Sequence, residues 1–304
     1  MKSVAQHHFP RYVFRDGSKL LWNPVLKKAF IDRPEERVRL QLVDYLILEA
    51  GFSTSRISFE SPVHLPRDKS ASRTDVICFD RDFQPLLLIE CKAPEISLTD
   101  RASIQIARYN QKVDAPLLLI SNGLEDFWFK NNSESVLNLK KTPEVLNSTS
   151  KFETDFKYWS ERGFAGEKTP PNTHEWILES CTTLFGPDNH SSPSYFKFEG
   201  INPELYMANY YRVFQESESI KLALSFTSTP NGTTKLNGVL NLDGSNSALF
   251  SCSIDLIAVN DPKNTIVESA SGTRDINLAA EIDFNLDIPI IQQVSKITEF
   301  LSDL

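Results

Sequence analysis

Asp75, Glu90 and Lys92 are two acids and an amine set close together in the chain. They are carried by Arg73-Thr-Asp75-Val-Ile-Cys-Phe79, the polar link Asp80-Arg-Asp-Phe-Gln-Pro85, and Leu86-Leu-Leu-Ile-Glu90-Cys-Lys92. The pattern reads as a hairpin, with apolar strands at 76–79 and 86–89 on either side of a polar turn. If Phe79 faces Leu86, Asp75 falls opposite Glu90. Opposed residues on antiparallel strands lie about 5 Å apart and side chains alternate faces, so Asp75, Glu90 and Lys92 share a face and Cys91 points away. Two carboxylates that close repel each other, a conflict that a divalent cation resolves. Their hard oxygens suit Mg²⁺ or Mn²⁺ better than Zn²⁺. A lysine beside such an ion is placed to orient or deprotonate an attacking water. A salt-bridged surface hairpin would use the same residue types. Against that, four consecutive apolar residues at 86–89 describe a strand buried on both faces, and polar groups at the end of such a strand are seldom accidental.

The neighbouring segments supply the elements that must hold these residues. Tyr12-Val-Phe-Arg and Ser18-Lys-Leu-Leu-Trp22 flank Asp16-Gly17 and predict a small hairpin. A helix is predicted from Asp32, with Asp32 and Glu35 as a capping box and Pro34 in the first turn. Val38, Leu42, Tyr45, Leu46 and Glu49 lie at helical spacing, and Gly51 is the stop. Glu35 and Glu36 both suit the positive end of that helix. A second helix begins at Leu98-Thr-Asp100 and places Ala102, Gln105, Ile106, Tyr109 and Val113 on one face. Gln105 and Tyr109 are then neighbours one turn apart, turned either to the core or to a cleft. A buried strand at 116–121 closes at Asn122-Gly123, and Phe127-Trp-Phe129 is another.

Asp75, fourteen intervening residues and Glu90-Cys-Lys92 resemble the PD-(D/E)xK nuclease signature. The flanks sharpen the likeness: Arg33-Pro-Glu-Glu-Arg-Val-Arg39, Glu90-Cys-Lys-Ala-Pro94, Gln105-Ile-Ala-Arg-Tyr-Asn110 and Leu118-Leu-Ile-Ser-Asn-Gly-Leu124. Together they look like the amino-terminal nuclease domain of type I restriction enzyme R subunits, including its Gln-x-x-x-Tyr element, over residues 10–130. Two departures stand out. Thr74 precedes Asp75 where the signature has Pro, and no Gly-x-x-x-x-Gly-Lys-Ser/Thr phosphate loop occurs in the 304 residues, so translocation by this chain is not expected.

The resemblance implies Mg²⁺-dependent endonuclease chemistry, with Mn²⁺ as substitute, on nucleic acid, DNA first, in defence against foreign DNA such as that of phage. In that reading Asp75, Glu90 and the Cys91 carbonyl hold the metal and Lys92 positions the water. An acid of the first helix supports the metal. Glu36 is preferred because capping would occupy Glu35, which stays the alternative. Gln105 would meet a base or backbone group, and Tyr109 would stack or hydrogen bond.

A net charge of −8 is awkward for gripping phosphates, so local distribution must serve. Arg37, Arg39, Arg56, Arg67, Lys69 and Arg73 precede the hairpin and Arg101, Arg108 and Lys112 follow it. Of these, Arg73, Arg101, Arg108 and Lys112 are the candidate nucleic-acid contacts. An ordinary solvated surface would look the same in sequence. With 40% hydrophobic and 24% charged residues the chain is globular, and its length suits two domains. There is no membrane-length apolar stretch and no secretory leader pattern, which points to a cytoplasmic location. The four cysteines are widely separated and suggest neither a zinc site nor a disulfide scaffold.

The expected architecture is α/β. A restriction-endonuclease-like mixed sheet flanked by helices spans 1–145, with helix, three strands, helix, strand as its order. A β-rich α+β second domain spans 150–304, with the linker at 140–152. In the second half Phe152, Phe156 and Trp159 suggest a short helix, residues 176–185 another and 290–301 a last one. Strands are expected at 205–211, 220–226, 235–242, 248–259 and 276–286, as an antiparallel sheet or sandwich. This half carries no chemical constellation and is assigned by elimination to binding or assembly, as a homo-oligomer or with a separate partner protein. The rival function is therefore a nuclease-like nucleic-acid-binding or assembly module that works only with a partner.

Overall fold

Leu87, Leu88 and Ile89 are buried on both sides of one strand, and the first unit is built outward from it. The computed structural model describes residues 1–60, 62–63, 72–132, 135–146, 152–189, 192–198, 205 and 207–304, and the chain divides into two units, Met1–Glu153 and Thr154–Leu304. The first begins with β1 (Arg11–Arg15), β2 (Ser18–Asn23) and β3 (Lys28–Phe30), a three-stranded antiparallel sheet. Asp16 and Gly17 both take positive φ between β1 and β2, as a tight hairpin turn requires.

Next come α1 (Pro34–Leu48), β4 (Ile57–Phe59), the short pair β5 (Pro62–Val63) and β6 (Ser72–Arg73), β7 (Val76–Phe79) and β8 (Pro85–Cys91). Then follow α2 (Asp100–Val113), β9 (Leu117–Ser121), β10 (Asp126–Asn132) and β11 (Ser135–Leu139). Six of these strands make one sheet in the order β11-β10-β9-β8-β7-β4. The β8–β9 pair is parallel, because α2 carries the chain back between them, and the other pairs are antiparallel. The sheet is mixed, as expected, with six strands where four were anticipated.

Alternation sorts its faces. Ile77, Leu88, Leu118 and Ile120 pack with Ile106 of α2, and Tyr109 and Val113 lie against the same cluster. Glu90, two residues from Leu88, shares that face. Cys91 points away and is fully buried.

The hairpin differs from expectation in one detail. Phe79 pairs with Pro85 rather than Leu86, because an irregularity after Cys78 takes up one residue. From Cys78↔Leu87 to Val76↔Ile89 the register runs as anticipated and delivers Asp75 to the level of Glu90.

The predicted capping box is not formed. Arg33 occupies the N-cap of α1 with no side-chain cap bond, and the Asp32 carboxylate instead pairs with Arg37 at 2.6 Å. A charged partner outcompetes a backbone amide for that carboxylate. At the other end Gly51, at φ 70°, turns the chain so that the Phe52 N–H reaches the Leu46 carbonyl at 2.8 Å. All nine residues from Val38 to Leu46 are buried, although the spacing marked a single apolar face. The segment before β1 helps cover the rest. Gln41 donates to the His8 carbonyl at 3.1 Å, and the His8 ring bonds Asp44 at 3.0 Å and Glu49 at 3.1 Å.

The second unit starts with α3 (Phe156–Glu161) and α4 (His174–Phe185). Phe152, expected on the helical face of α3, lies before it in the first unit and stacks on His8 at 5.8 Å. A seven-stranded antiparallel sheet follows, in chain order: β12 (Ser194–Phe198), β13 (Met207–Gln215), β14 (Ile220–Ser228), β15 (Thr234–Leu242), β16 (Ser245–Ser253), β17 (Thr265–Ser269) and β18 (Gly272–Ile276). Short α5 (Ile254–Ile257) follows β16, and α6 (Leu278–Ile282) and α7 (Ile290–Ser302) end the chain.

One expected strand is shortened here and another is absent but for its first residue. The run 248–259 breaks at Ser253, whose hydroxyl accepts from the Leu256 N–H at 3.4 Å and starts α5. The run 276–286 breaks at Asn277, whose side chain caps α6 through the Ala280 N–H at 3.3 Å. Strands β12 and β17 were not anticipated, nor was β18 apart from Ile276. The four cysteines are buried and unbridged, and among the described residues no helix is long and apolar enough to cross a membrane.

Candidate active site

The end of β8 and one turn of α2 build the first half of the site. Glu90 is nearly buried, and its Oε1 receives the Lys92 ammonium at 2.6 Å and the Gln105 amide at 2.7 Å. The Gln105 Nε2 also reaches the Tyr109 hydroxyl at 3.2 Å, and the Gln105 carbonyl oxygen accepts from Lys92 at 3.4 Å. The backbone of Lys92 is fixed by its N–H to the Ser121 carbonyl of β9 at 2.9 Å. Of the two orientations the sequence left open for the Gln105 and Tyr109 pair, Gln105 takes the polar one, while Tyr109 packs on the core with its hydroxyl turned to Gln105. Burial and the charge of Asp75 push the Glu90 carboxyl up to about 7, against the pull of Lys92. Burial lowers the Lys92 pKa, but the bond to Glu90 outweighs it and the net direction is upward. Lys92 is therefore an ammonium donor at neutral pH.

The start of β7 and the first turns of α1 build the second half. Asp75 has one oxygen on the Cys91 N–H at 2.6 Å and the other on Arg39 Nη2 at 2.7 Å, which ties the hairpin to α1. Arg39 Nη1 bonds Glu36 at 2.6 Å, and the same guanidinium lies 3.6 Å from Glu35 and 3.7 Å from Glu60. Glu60 also meets Arg73 at 3.6 Å. Glu36 is turned inward with 11% of its side chain exposed, against 48% for Glu35. Burial pushes the Glu36 carboxyl up, with Arg39 opposing. The Arg39 guanidinium is itself held more firmly protonated, since Asp75 and Glu36 outweigh its burial.

Sequence reasoning placed Arg39 on a basic rim and missed Glu60. Arg39 stands three residues after Glu36 and between the apolar Val38 and Leu40. That is the spacing of a helix-internal ion pair on a buried face, and it was the signal available.

Five carboxylates, Glu35, Glu36, Glu60, Asp75 and Glu90, thus meet three cationic side chains, Arg39, Arg73 and Lys92. Among the described residues no three His, Cys, Asp or Glu side chains gather tightly enough to hold one ion. What the hairpin offers is a pair of hard-oxygen donors, Asp75 just before β7 and Glu90 on β8, with Cys91 next in the chain. That donor set suits Mg²⁺ or Mn²⁺. The Cys91 thiol is excluded as a ligand of that kind, since burial pushes its pKa well up and it points away from the pair.

The expected basic rim is divided. Arg37 and Arg39 are taken up in ion pairs, and Arg56 donates to the Gly51 carbonyl and lies over the Phe52 ring at 5.1 Å. Arg73 is 68% exposed, and Arg108 and Lys112 are exposed on α2. Arg67, Lys69 and the side chain of Arg101 lie outside the described residues.

Residues 34–143 match the family model described as the type I restriction enzyme R protein N terminus. The match falls within the first unit, runs from the start of α1 past β11, and covers less than half of the chain. The resemblance drawn from the motifs is thereby shown for that stretch, and the family carries with it a nuclease-like role in restriction. No curated protein and no solved structure matches the chain.

Proposed function

We propose that the first unit is a divalent-metal-dependent endonuclease that hydrolyses phosphodiester bonds, of DNA first, in defence against foreign DNA. The observation that carries the reading is the meeting of Asp75, Glu90, Lys92 and Gln105 at one end of β7, β8 and α2, inside the stretch that matches the restriction-enzyme family. Bound at Asp75, Glu90 and the Cys91 carbonyl, Mg²⁺ would supply charge neutralisation at the attacked phosphate and a water of lowered pKa.

The chain's own residues do the rest. Lys92, held as an ammonium by Glu90, orients the water and offsets developing negative charge. Gln105 bonds both the Glu90 carboxylate and the Lys92 ammonium, and the Tyr109 hydroxyl accepts from Gln105. Glu36 adds an acid from α1. Arg73, Arg108 and Lys112 meet the phosphate backbone as exposed cations, which makes binding sensitive to salt.

A second reading, a nuclease-like module that works only with a partner protein, is favoured by one observation. Asp75 and Glu90 are already balanced by Arg39 and Lys92. The second unit would then carry the docking.

Degradation of plasmid, linear duplex DNA, single-stranded DNA and RNA in Mg²⁺ or Mn²⁺ separates the two readings. The wild type is expected to cleave at least one substrate, with Asp75→Ala and Lys92→Ala slowed by about a hundred-fold or more. Lys92→Ala should still fold, because its loss opens no apolar cavity, and should melt lower than wild type, because the buried Glu90 loses its counter-charge. Cleavage by both variants at the wild-type rate sinks the assignment. Absence of cleavage on every substrate favours the partner-dependent module.

A further inference from the structure

We propose that Arg39 stands in for the divalent ion in the metal-free protein, and that an ion can settle on Asp75 only when the guanidinium lets go of it. The inference rests on the nuclease reading and names a positioning residue that the reading does not use.

Four observations carry it. Arg39 is buried, and its two terminal nitrogens span carboxylates from different elements, Glu36 of α1 at 2.6 Å and Asp75 before β7 at 2.7 Å. Both carboxylates are nearly buried, with 11% and 13% of their side chains exposed, so each needs a counter-charge. The second Asp75 oxygen is already taken by the Cys91 N–H, which leaves the arginine-bound oxygen as the one free of backbone. A divalent ion on that oxygen would sit against a fixed positive charge at van der Waals range, and the two exclude each other. Finally, the Arg39 Nε is buried without a hydrogen-bond partner among the described residues. A buried arginine with a purely structural role usually has its donors satisfied. This one is held through its charged tip, by the very groups that an ion would claim.

The test is calorimetric titration of the full chain with MnCl₂ alone, beside thermal unfolding in EDTA and in MnCl₂, for wild type, Arg39→Gln, Arg39→Lys and Asp75→Asn. Arg39→Gln is expected to melt lower than wild type in EDTA, to bind Mn²⁺ at least ten-fold more tightly, and to regain more of its melting temperature on adding Mn²⁺. Arg39→Lys keeps the charge but lacks the planar fork, and should fall between them. It carries the comparison if Arg39→Gln does not fold in EDTA.

Equal or weaker Mn²⁺ binding by the Arg39 variants, with binding still abolished in Asp75→Asn, overturns the inference and leaves the nuclease reading standing. Failure of wild type and every variant to bind Mn²⁺ overturns both.

Discussion

Gln105 is the residue through which the acid and the lysine of the candidate site act together. Its amide donates to Glu90 and to the Tyr109 hydroxyl, and its carbonyl receives Lys92. Without it, Glu90 and Lys92 still meet, but neither is held in direction. Gln105→Ala is therefore expected to cost only about 1 kcal/mol of stability while slowing single-turnover cleavage by roughly ten-fold or more. Gln105→Glu keeps the shape but sets an anion against Glu90, and should be slower still. Urea unfolding and single-turnover rates measured side by side check both, and a Gln105→Ala variant that cleaves at the wild-type rate would remove the residue from the site. The Gln-x-x-x-Tyr spacing was readable in the sequence, since one helical turn brings the two together. What it could not state was the partner, because Glu90 reaches Gln105 only through packing between β8 and α2.

At the scale of elements, α1 is the part whose setting matters most, since it brings Arg39 and Glu36 to the hairpin. Its far end is pinned by His8, whose ring bonds Asp44 and Glu49, meets Tyr45 edge-on and stacks on Phe152. Burial lowers the His8 pKa, but the hydrogen bonds and charges of Asp44 and Glu49 outweigh it, so the pKa stands above the usual 6.5. A raised folded-state value means that the stabilisation is complete below the unfolded pKa and is lost as pH rises through the folded one. The urea midpoint of the wild type should therefore fall as pH rises above 6.5, and His8→Gln should flatten that fall. An unchanged pH profile in His8→Gln would show that the ring stays neutral there. Element types in this unit were legible because apolar runs and breakers agree locally. The Asp32 cap fails because Arg37, five residues on, takes its carboxylate, and the one-sided face of α1 fails because the chain before β1 covers Gln41 and Asp44 from a distance.

For the whole molecule, the division into Met1–Glu153 and Thr154–Leu304 predicts two units with cores of their own. Residues 1–153 expressed alone are expected to melt cooperatively and to retain the Mn²⁺ response of the full chain, as followed by calorimetry. A fragment without a cooperative transition would mean that the second unit is needed for the first to fold. In the second unit the sheet was legible in outline, but two helix starts were hidden inside apolar runs. There Ser253 and Asn277 cap a turn of helix where residue type alone suggested a continuing strand.

The sequence by itself determined the hairpin register from the Val76–Ile89 pair to the Cys78–Leu87 pair, the alternation that puts Glu90 and Lys92 on one face, the burial of β8 and β9, and the motif spacing behind the family resemblance. These follow from periodicities of two and 3.6 residues, which are local and survive without knowledge of the fold. Only the tertiary structure decided that Arg39 enters the acid cluster, that Glu60 joins it, and that Glu90 is pushed up to about 7. Those depend on charges brought together from distant parts of the chain and on the burial that strengthens their interaction, and neither is encoded in the spacing of any one segment.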